Sequence, residues 1–197
     1  SAIVFSLFMI LGPCPTLEEG HAADMHSLFF VSPSFPSLSS NTSQPLTPIF
    51  ERAAADYDIP LELLLVLGQI GSAFEDRGAA PTIERGYGIM ALRENNMGGD
   101  SLSLAAGLLG LPSEHIKIDV VANIRGAAAV LDAYGRELGI DRRKGLMAWI
   151  PIIQRYAGLD DESNQYFTME VFQILRKGLS ITNSSGETFR LTPVVMD

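Results

Sequence analysis

Residues 61–77 read LELLLVLGQIGSAFEDR, and this stretch decides the fold class. Through Leu67 the apolar side chains fall on nearly every side of a helical projection, which is typical of a helix buried on all faces. Pro60 stands where it can open the helix, and Gly78 is the first strong stop signal after it. The sequence therefore predicts a buried central helix over the whole stretch.

The flanking sequence predicts more helices and few strands. The sequence predicts a helix with Thr47 as its cap and Pro48 as its first residue, and others over 101–109, 120–138, 144–156 (kinked at Pro151) and 163–177. The signals are helical spacing of apolar residues, proline near helix starts and glycine near helix ends. Residues 79–100 are rich in glycine and predict a loop region. Asn183-Ser184-Ser185-Gly186 is a turn signal between two short β-like runs. We expect an all-α domain with a glycine-rich loop region and, at its end, a small β-hairpin.

The first 45 residues differ in composition from the rest. Residues 1–11 are a short apolar run, and Gly20-His21-Ala22 follows with small residues at the spacing of a leader cleavage site. The segment from 32 to 48 is rich in Ser and Pro, as is typical of extended linkers. We expect a signal-peptide-like leader at 1–23, a linker at 24–45, a folded domain at 46–178, and a tail or a linker to a further domain at 179–197.

The charge of the chain excludes two classes of partner. The sequence holds 14 Lys and Arg against 23 Asp and Glu, so its formal charge is 14 − 23 = −9. A nucleic-acid partner needs a basic face for its phosphates, and anionic lipid headgroups need one too. We expect neither nucleic-acid binding nor membrane binding after leader removal. A sugar polymer, held by hydrogen bonds and aromatic stacking, remains compatible with an acidic surface.

Metal and nucleophile chemistry lack the residues that they need. Cys14 is the single cysteine, and two of the three histidines, His21 and His26, precede the domain. The third, His115, follows a proline turn and is expected to be a solvated loop residue. A zinc site needs several converging His or Cys ligands, and a Ser or Cys nucleophile needs a nearby base. We expect no metal and no cofactor, which leaves carboxylate chemistry on a helical scaffold.

Six motifs in order resemble those of the lytic transglycosylase and goose-type lysozyme group. They are similar above all to the lysozyme-like module upstream of the amidase domain in some secreted N-acetylmuramoyl-L-alanine amidases. The motifs are Phe50-Glu51-Arg52-Ala53-Ala54 with Asp58-Ile59-Pro60, Leu64-Leu65-Val66-Leu67 into Gly71-Ser72-Ala73-Phe74, Gly86-Tyr87-Gly88-Ile89-Met90, Asn123-Ile124-Arg125-Gly126-Ala127, Trp149 with Arg155-Tyr156-Ala157-Gly158, and Tyr166 with Val171. The resemblance covers about two thirds of the chain and implies a lysozyme-like helical fold that engages peptidoglycan glycan strands.

The same resemblance implies a catalytic Glu directly before Ser72, but Gly71 occupies that position. A glycosidase acid must donate a proton from a carboxyl group held neutral in a partly apolar cleft. Glu75, expected one helical turn further on the same face, and Glu84, on the glycine-rich loop, are the carboxylates that could replace it. Both are more readily explained as solvated surface charges. Ala91 occupies a second position where the family has a polar side chain.

Substrate contacts are also implied by the resemblance. They would come from the cleft residues Ser72, Tyr87, Gly88, Met90, Asn123 and Tyr156. Aromatic rings are the natural sugar platforms, and the candidates are Tyr87, Trp149, Tyr156 and Tyr166. Trp149 and Tyr156 are seven residues apart on one helix face and are more often core than ligand. Tyr87, in a glycine-rich loop, is the preferred cleft residue.

The function predicted first is recognition of peptidoglycan glycan by an exported, catalytically degenerate lysozyme-like domain in cell-wall remodelling. It would help to place a neighbouring hydrolase domain, such as an amidase, on the wall. The second possibility is an active muramidase or lytic transglycosylase that uses Glu75 or Glu84. The third is a helical protein-interaction domain with no glycan role.

Overall fold

The computed structural model describes residues 44–82, 85–94 and 99–195. Seven α-helices in these residues carry most of the fold, with two short antiparallel strand pairs. The helices are α1 (Thr47–Tyr57), α2 (Leu61–Ser72), α3 (Ser101–Leu109), α4 (Ser113–Ile118), α5 (Val120–Glu137), α6 (Ile150–Ala157) and α7 (Asp161–Lys177). Strands β1 (Gly86–Tyr87) and β2 (Leu92–Arg93) pair with each other, as do β3 (Leu179–Thr182) and β4 (Thr188–Leu191). The fold is therefore mostly α, and the predicted C-terminal hairpin is confirmed.

Helix α2 is central because it has almost no polar face to turn toward solvent. Leu63, Leu64 and Val66 are completely buried, and α1 and α7 pack against the helix. The long helix α5 packs against α1, α3, α4 and α6, and Gly126 allows a close approach to α3, since a Cβ there would lie 3.0 Å from the Ala105 Cβ. These two helices and their neighbours enclose one continuous hydrophobic core.

Helix α2 is shorter than predicted. It ends at Ser72, where Ala73 and Phe74 adopt left-handed backbone conformations with φ of 56° and 59°, and the Ala73 amide caps the helix on the Gln69 carbonyl. Left-handed conformations cost a residue with a Cβ about 1–2 kcal/mol each. Burial of the Phe74 ring offsets that cost, because the ring would leave the core if the helix continued. The prediction that the helix reaches Gly78 was wrong, since local spacing carries no information about this packing.

The C-terminal hairpin belongs to the core. The Phe189 ring on β4 stacks on Phe74 with centroids 3.7 Å apart and planes 7° apart. Both rings also contact Phe50 of α1 edge-on. Phe189 and Leu191 are buried, so the hydrophobic core extends beyond the predicted domain boundary at 178.

Helix α1 begins one residue earlier than predicted, and its cap comes from the hairpin. Leu46 takes the cap position with no side-chain bond of its own, and Thr47 is already helical. The Glu187 carboxylate accepts hydrogen bonds from the Leu46 amide at 2.7 Å and from the Thr47 amide at 2.8 Å. A carboxylate at a helix N-terminus satisfies free amides and favours the helix dipole. Glu187, 140 positions away, thus caps the helix in place of Thr47, the predicted cap.

Three further predictions differ from the structure in detail. His115 lies on the short helix α4, not in a loop, although it is exposed as expected. The predicted kinked helix over 144–156 is two 3₁₀ turns (Arg142–Lys144 and Leu146–Trp149) followed by α6. Pro151 therefore sits in a first helical turn, where its missing N–H is not needed. Helix α7 begins two residues early because Asp160 caps it through the Ser163 amide.

The predicted leader and almost all of the predicted linker lie outside the described residues. Among the helices that are described, none combines the length and the apolar character required to cross a membrane.

Candidate functional site

A groove of about 610 Å³ opens between the C-terminal half of α2, the β1–β2 turn, and helices α6 and α7. Its wall combines aliphatic, aromatic and charged side chains. The lining residues are Leu67, Ile70, Gly71, Arg77, Thr82, Met90, Ala91, Arg93, Tyr156, Ala157, Leu159, Ser163, Tyr166, Phe167 and Glu170. The volume lies in the range of ordinary ligand sites. Three of the predicted site residues, Gly71, Met90 and Tyr156, are therefore brought together.

The β1–β2 turn forms one wall of the groove, and Asn123 of α5 holds it from behind. The buried Asn123 amide accepts a hydrogen bond from the Met90 amide at 2.8 Å and donates to the Tyr87 carbonyl at 3.0 Å. Gly88 has φ of 66°, and a Cβ there would lie 2.3 Å from the Asn123 Nδ2 atom. Gly88 is thus required by both its backbone conformation and its closeness to Asn123. Asn123 and Gly88 act on the groove through the turn and do not line it.

Two hydroxyl groups fix the same turn from the other side. Ser72 at the end of α2 donates to the Ile89 carbonyl at 2.9 Å, and Tyr156 of α6 donates to the Met90 carbonyl at 2.7 Å. Burial raises the pKa of Tyr156 above its ordinary value, so this phenol stays a neutral donor. Ser72 is buried and does not line the groove. The predicted contacts Ser72, Asn123 and Tyr156 thus form a scaffold for the turn.

Gly71 lies in the groove wall, facing the turn. A Cβ at this position would lie 3.1 Å from the Ala91 Cβ and 3.1 Å from the Ile89 carbonyl oxygen. The backbone of α2 and the turn therefore approach more closely than a side chain comfortably allows. The two positions where the resemblance expects polar groups, 71 and 91, face each other as glycine and alanine. Neither can donate or accept a proton.

Glu75 does not lie in this groove. The prediction that it shares a helix face with Gly71 was wrong, because α2 ends at Ser72 and the left-handed residues that follow redirect the chain. Its carboxylate instead accepts hydrogen bonds from the hydroxyl and the amide of Ser184 in the β3–β4 turn. Both bonds lower the pKa of Glu75, and the bond from the Ser184 hydroxyl has the larger effect. A carboxyl held ionised at the surface is a poor general acid. Glu84 lies outside the described residues.

The four aromatic candidates differ in whether they line the groove and in how exposed they are. Trp149 is buried in the core. Tyr87 is not a lining residue, and the Lys117 ammonium lies 4.4 Å from its ring centroid. Tyr166 lines the groove and is 64% exposed, so its ring is the one of these four that is open to a ligand at the groove. The preference for Tyr87 over Tyr166 as the cleft residue is therefore not supported by their positions.

Sequence reasoning missed the charged residues of the groove, Arg77, Arg93 and Glu170. The signal for Glu170 was present, because Ser163, Tyr166, Phe167 and Glu170 follow the i, i+3, i+4, i+7 spacing of a single helix face. That face of α7 forms one side of the groove. Arg77 and Arg93 lie in irregular or very short elements, where spacing gives no face. In the described part of the chain no three His, Cys, Asp or Glu side chains cluster as metal ligands would.

No protein-family model matches this sequence, and no curated protein is significantly similar to it.

Proposed function

We propose that the protein is an exported, peptidoglycan-binding domain of lysozyme-like type that has lost glycan cleavage. The observation that carries the proposal is Gly71. It lies in the wall of the groove, at the position where the resemblance expects the catalytic acid, and opposite Ala91. In wall remodelling, such a domain serves to place a hydrolase, for example an amidase domain, on its substrate.

Three features of the groove support a sugar ligand. Tyr166 offers an exposed ring at one side, on which the C–H face of a pyranose can stack. Arg77, Thr82 and Glu170 supply hydrogen-bonding groups suited to hydroxyl and amide substituents. Leu67, Ile70 and Met90 supply the apolar remainder of the wall. A few polar groups set in an apolar cleft are typical of ligand sites.

The positions of the carboxylates near the groove support the proposed loss of cleavage. The mechanism of these enzymes requires a protonated acid beside the scissile bond. Glu75 is held ionised outside the groove by Ser184. Glu170 does line the groove, but it is exposed to water, whereas a glycosidase acid lies in a partly apolar cleft.

Binding is tested by co-sedimentation of the full chain with purified sacculi. Tyr166→Ala should weaken binding at least about fivefold, since truncating an aromatic contact residue commonly costs about 1 kcal/mol or more. Met169→Ala is the matched control, because Met169 is on the same helix and 66% exposed but does not line the groove. No binding by the native chain would contradict the proposal and favour a protein-interaction domain.

Cleavage is tested by the release of soluble muropeptides. The native chain should release almost none, and Gly71→Glu should release more than Gly71→Gln, which has the same shape without the acid. General acid catalysis contributes about 10²–10⁴-fold, so even partial rescue is measurable. Robust native activity that disappears in Glu75→Gln or Glu170→Gln would overturn the claim of lost cleavage and identify the acid.

A further inference from the structure

A second cavity, of about 480 Å³, shares no lining residue with the groove. It lies among the start of α1, the segment after α2, the α4–α5 junction and the β3–β4 turn. Its lining contains three carboxylates, those of Glu75, Asp76 and Asp119, and no Lys or Arg. Ile118 and Val121 also line it and are 58% and 37% exposed. We call this surface the acidic end.

The opposite end of the α1–α5 pair has the reverse charge. These two helices pack together and run parallel, because Ile49 and Val121 line the same cavity while the Arg142 guanidinium donates to the Tyr57 carbonyl at the other end. With 18 residues, α5 separates the ends by about 27 Å.

This second surface, the basic end, comprises residues 132–147 with Arg155. It carries five basic side chains against three acidic ones, 5 − 3 = +2, in a chain of net charge −9. The Arg143 side chain is 90% exposed, and Lys144 is exposed too. Leu138 and Met147 expose 38% and 43% of their surface beside them.

Helix dipoles explain part of this charge distribution, since acidic groups favour helix N-termini and basic groups favour C-termini. They do not explain the aliphatic side chains that are exposed at both ends. At the basic end Asp132, Glu137 and Asp141 form ion pairs with the four arginines, which leaves a net positive charge that includes the exposed Lys144. Each end therefore combines an apolar patch with a net charge, negative at the acidic end and positive at the basic end. Contact surfaces that join apolar area to complementary charge are what specific association requires.

We propose that the acidic end of one molecule binds the basic end of a second copy, so that the protein associates head to tail. The N-terminal segment of the same chain is a poorer occupant of the acidic end, because residues 1–43 contain Glu18, Glu19 and Asp24 and no Lys or Arg. The contact uses two different surfaces and leaves one of each free, so it extends into a linear or closed array instead of stopping at a dimer.

The test is sedimentation velocity on the full chain over a range of concentrations and salt. The native chain should form species larger than a dimer, and added salt should weaken association because it screens the exposed charges. Ile118→Lys at the acidic end and Lys144→Glu at the basic end should each weaken association about tenfold or more by placing like charges together. Val195→Lys and Lys177→Glu make the same kinds of change at exposed positions elsewhere and should associate like the native chain.

Mixing gives the decisive readout. Each blocked variant keeps one intact end, so an equimolar mixture of Ile118→Lys and Lys144→Glu should associate although neither variant does so alone. A native chain that stays monomeric at every concentration overturns the proposal. Association that persists in both blocked variants also overturns it, and would place the contact elsewhere, including within residues 1–43.

Discussion

Two glycines of the domain have opposite surroundings, although both lie in helices. A Cβ at Gly71 of α2 would lie 3.1 Å from both the Ala91 Cβ and the Ile89 carbonyl oxygen, closer than most Cβ contacts. Apart from the adjacent residues and the backbone of its own helix, Gly107 of α3 has no atom within 4 Å of where its Cβ would lie. Because glycine is the weaker helix former at both positions, the surroundings alone decide the sign of a change to alanine.

We expect Gly107→Ala to raise the free energy of unfolding by about 0.5–1 kcal/mol, through helix propensity and a less flexible unfolded chain. Gly71→Ala gains the same propensity but overpacks the turn, which costs about 1–3 kcal/mol, so it should lower stability by about 1 kcal/mol net. Urea denaturation measures both. Equal effects of the two changes would show that the turn moves aside freely, and the rescue by Gly71→Glu would then carry no steric cost.

At the scale of residues, the sequence identified some residues of the groove but not the course of the chain around them. Gly71, Met90 and Tyr156, which were singled out from the motifs, do line one groove. The position of Glu75 was missed because Ala73 and Phe74 end the helix in left-handed conformations that residues with a Cβ rarely adopt. We attribute this end of helix α2 to the burial of Phe74 against Phe189, which lies 115 positions later in the chain. Nothing in the local sequence indicates that contact.

Among the elements, the hairpin is held by two carboxylates. Glu75 accepts hydrogen bonds from Ser184 in its turn, and Glu187 binds the start of α1. Burial pushes the pKa of Glu187 up, but the bonds from Leu46 and Thr47 outweigh it, and the pKa is lowered from the ordinary 4.5. The pKa of Glu75 is lowered too.

A carboxyl whose pKa is lower in the folded state stabilises the fold above its unfolded pKa, and that stability is lost as pH falls through the folded value. Stability should therefore decline as pH drops below about 4.5, because these two carboxylates take up protons at a higher pH in the unfolded chain than in the folded chain. Glu187→Gln should make this decline shallower while lowering stability at pH 7. Glu51→Gln, an exposed glutamate of α1 outside the hairpin contacts, is the control. Identical pH profiles for the native and Glu187→Gln chains would contradict the argument.

The elements themselves were largely predictable. Apolar spacing and turn residues placed six of the seven described helices and the β3–β4 hairpin. Helix α4 was missed because six residues are too few for a periodic signal. The hairpin's partners were not predictable, since Glu187 and Thr47 are 140 positions apart and meet only in the folded chain.

For the whole molecule, the hairpin completes the core, because its Phe189 ring packs against Phe50 and Phe74. We expect residues 44–195 to melt cooperatively without the preceding segment, whereas residues 44–178 should not. Loss of the hairpin uncovers Phe50 and Phe74 and removes the Glu187 cap. Removing one buried aromatic ring costs about 3–5 kcal/mol, a large share of the 5–15 kcal/mol that stabilises a typical domain.

Circular dichroism and differential scanning calorimetry distinguish the two truncated chains. The chain 44–195 with Phe189→Ala is the intermediate case, because it keeps the hairpin backbone and Glu187 but loses the ring. It should still melt cooperatively at a lower temperature. A cooperative transition in residues 44–178 would show that the helices close a core on their own.

The contact between Phe189 and Phe74 also governs when this protein can fold during its synthesis. Phe50 and Phe74 leave the ribosome early, but the Phe189 ring that packs against them is absent until residues 179–191 have emerged. Until then the nascent chain displays unsatisfied apolar surface of the kind that chaperones bind. Late closure of the core would keep the chain unfolded until its last elements are made, which is the state that the proposed export through a translocation channel requires.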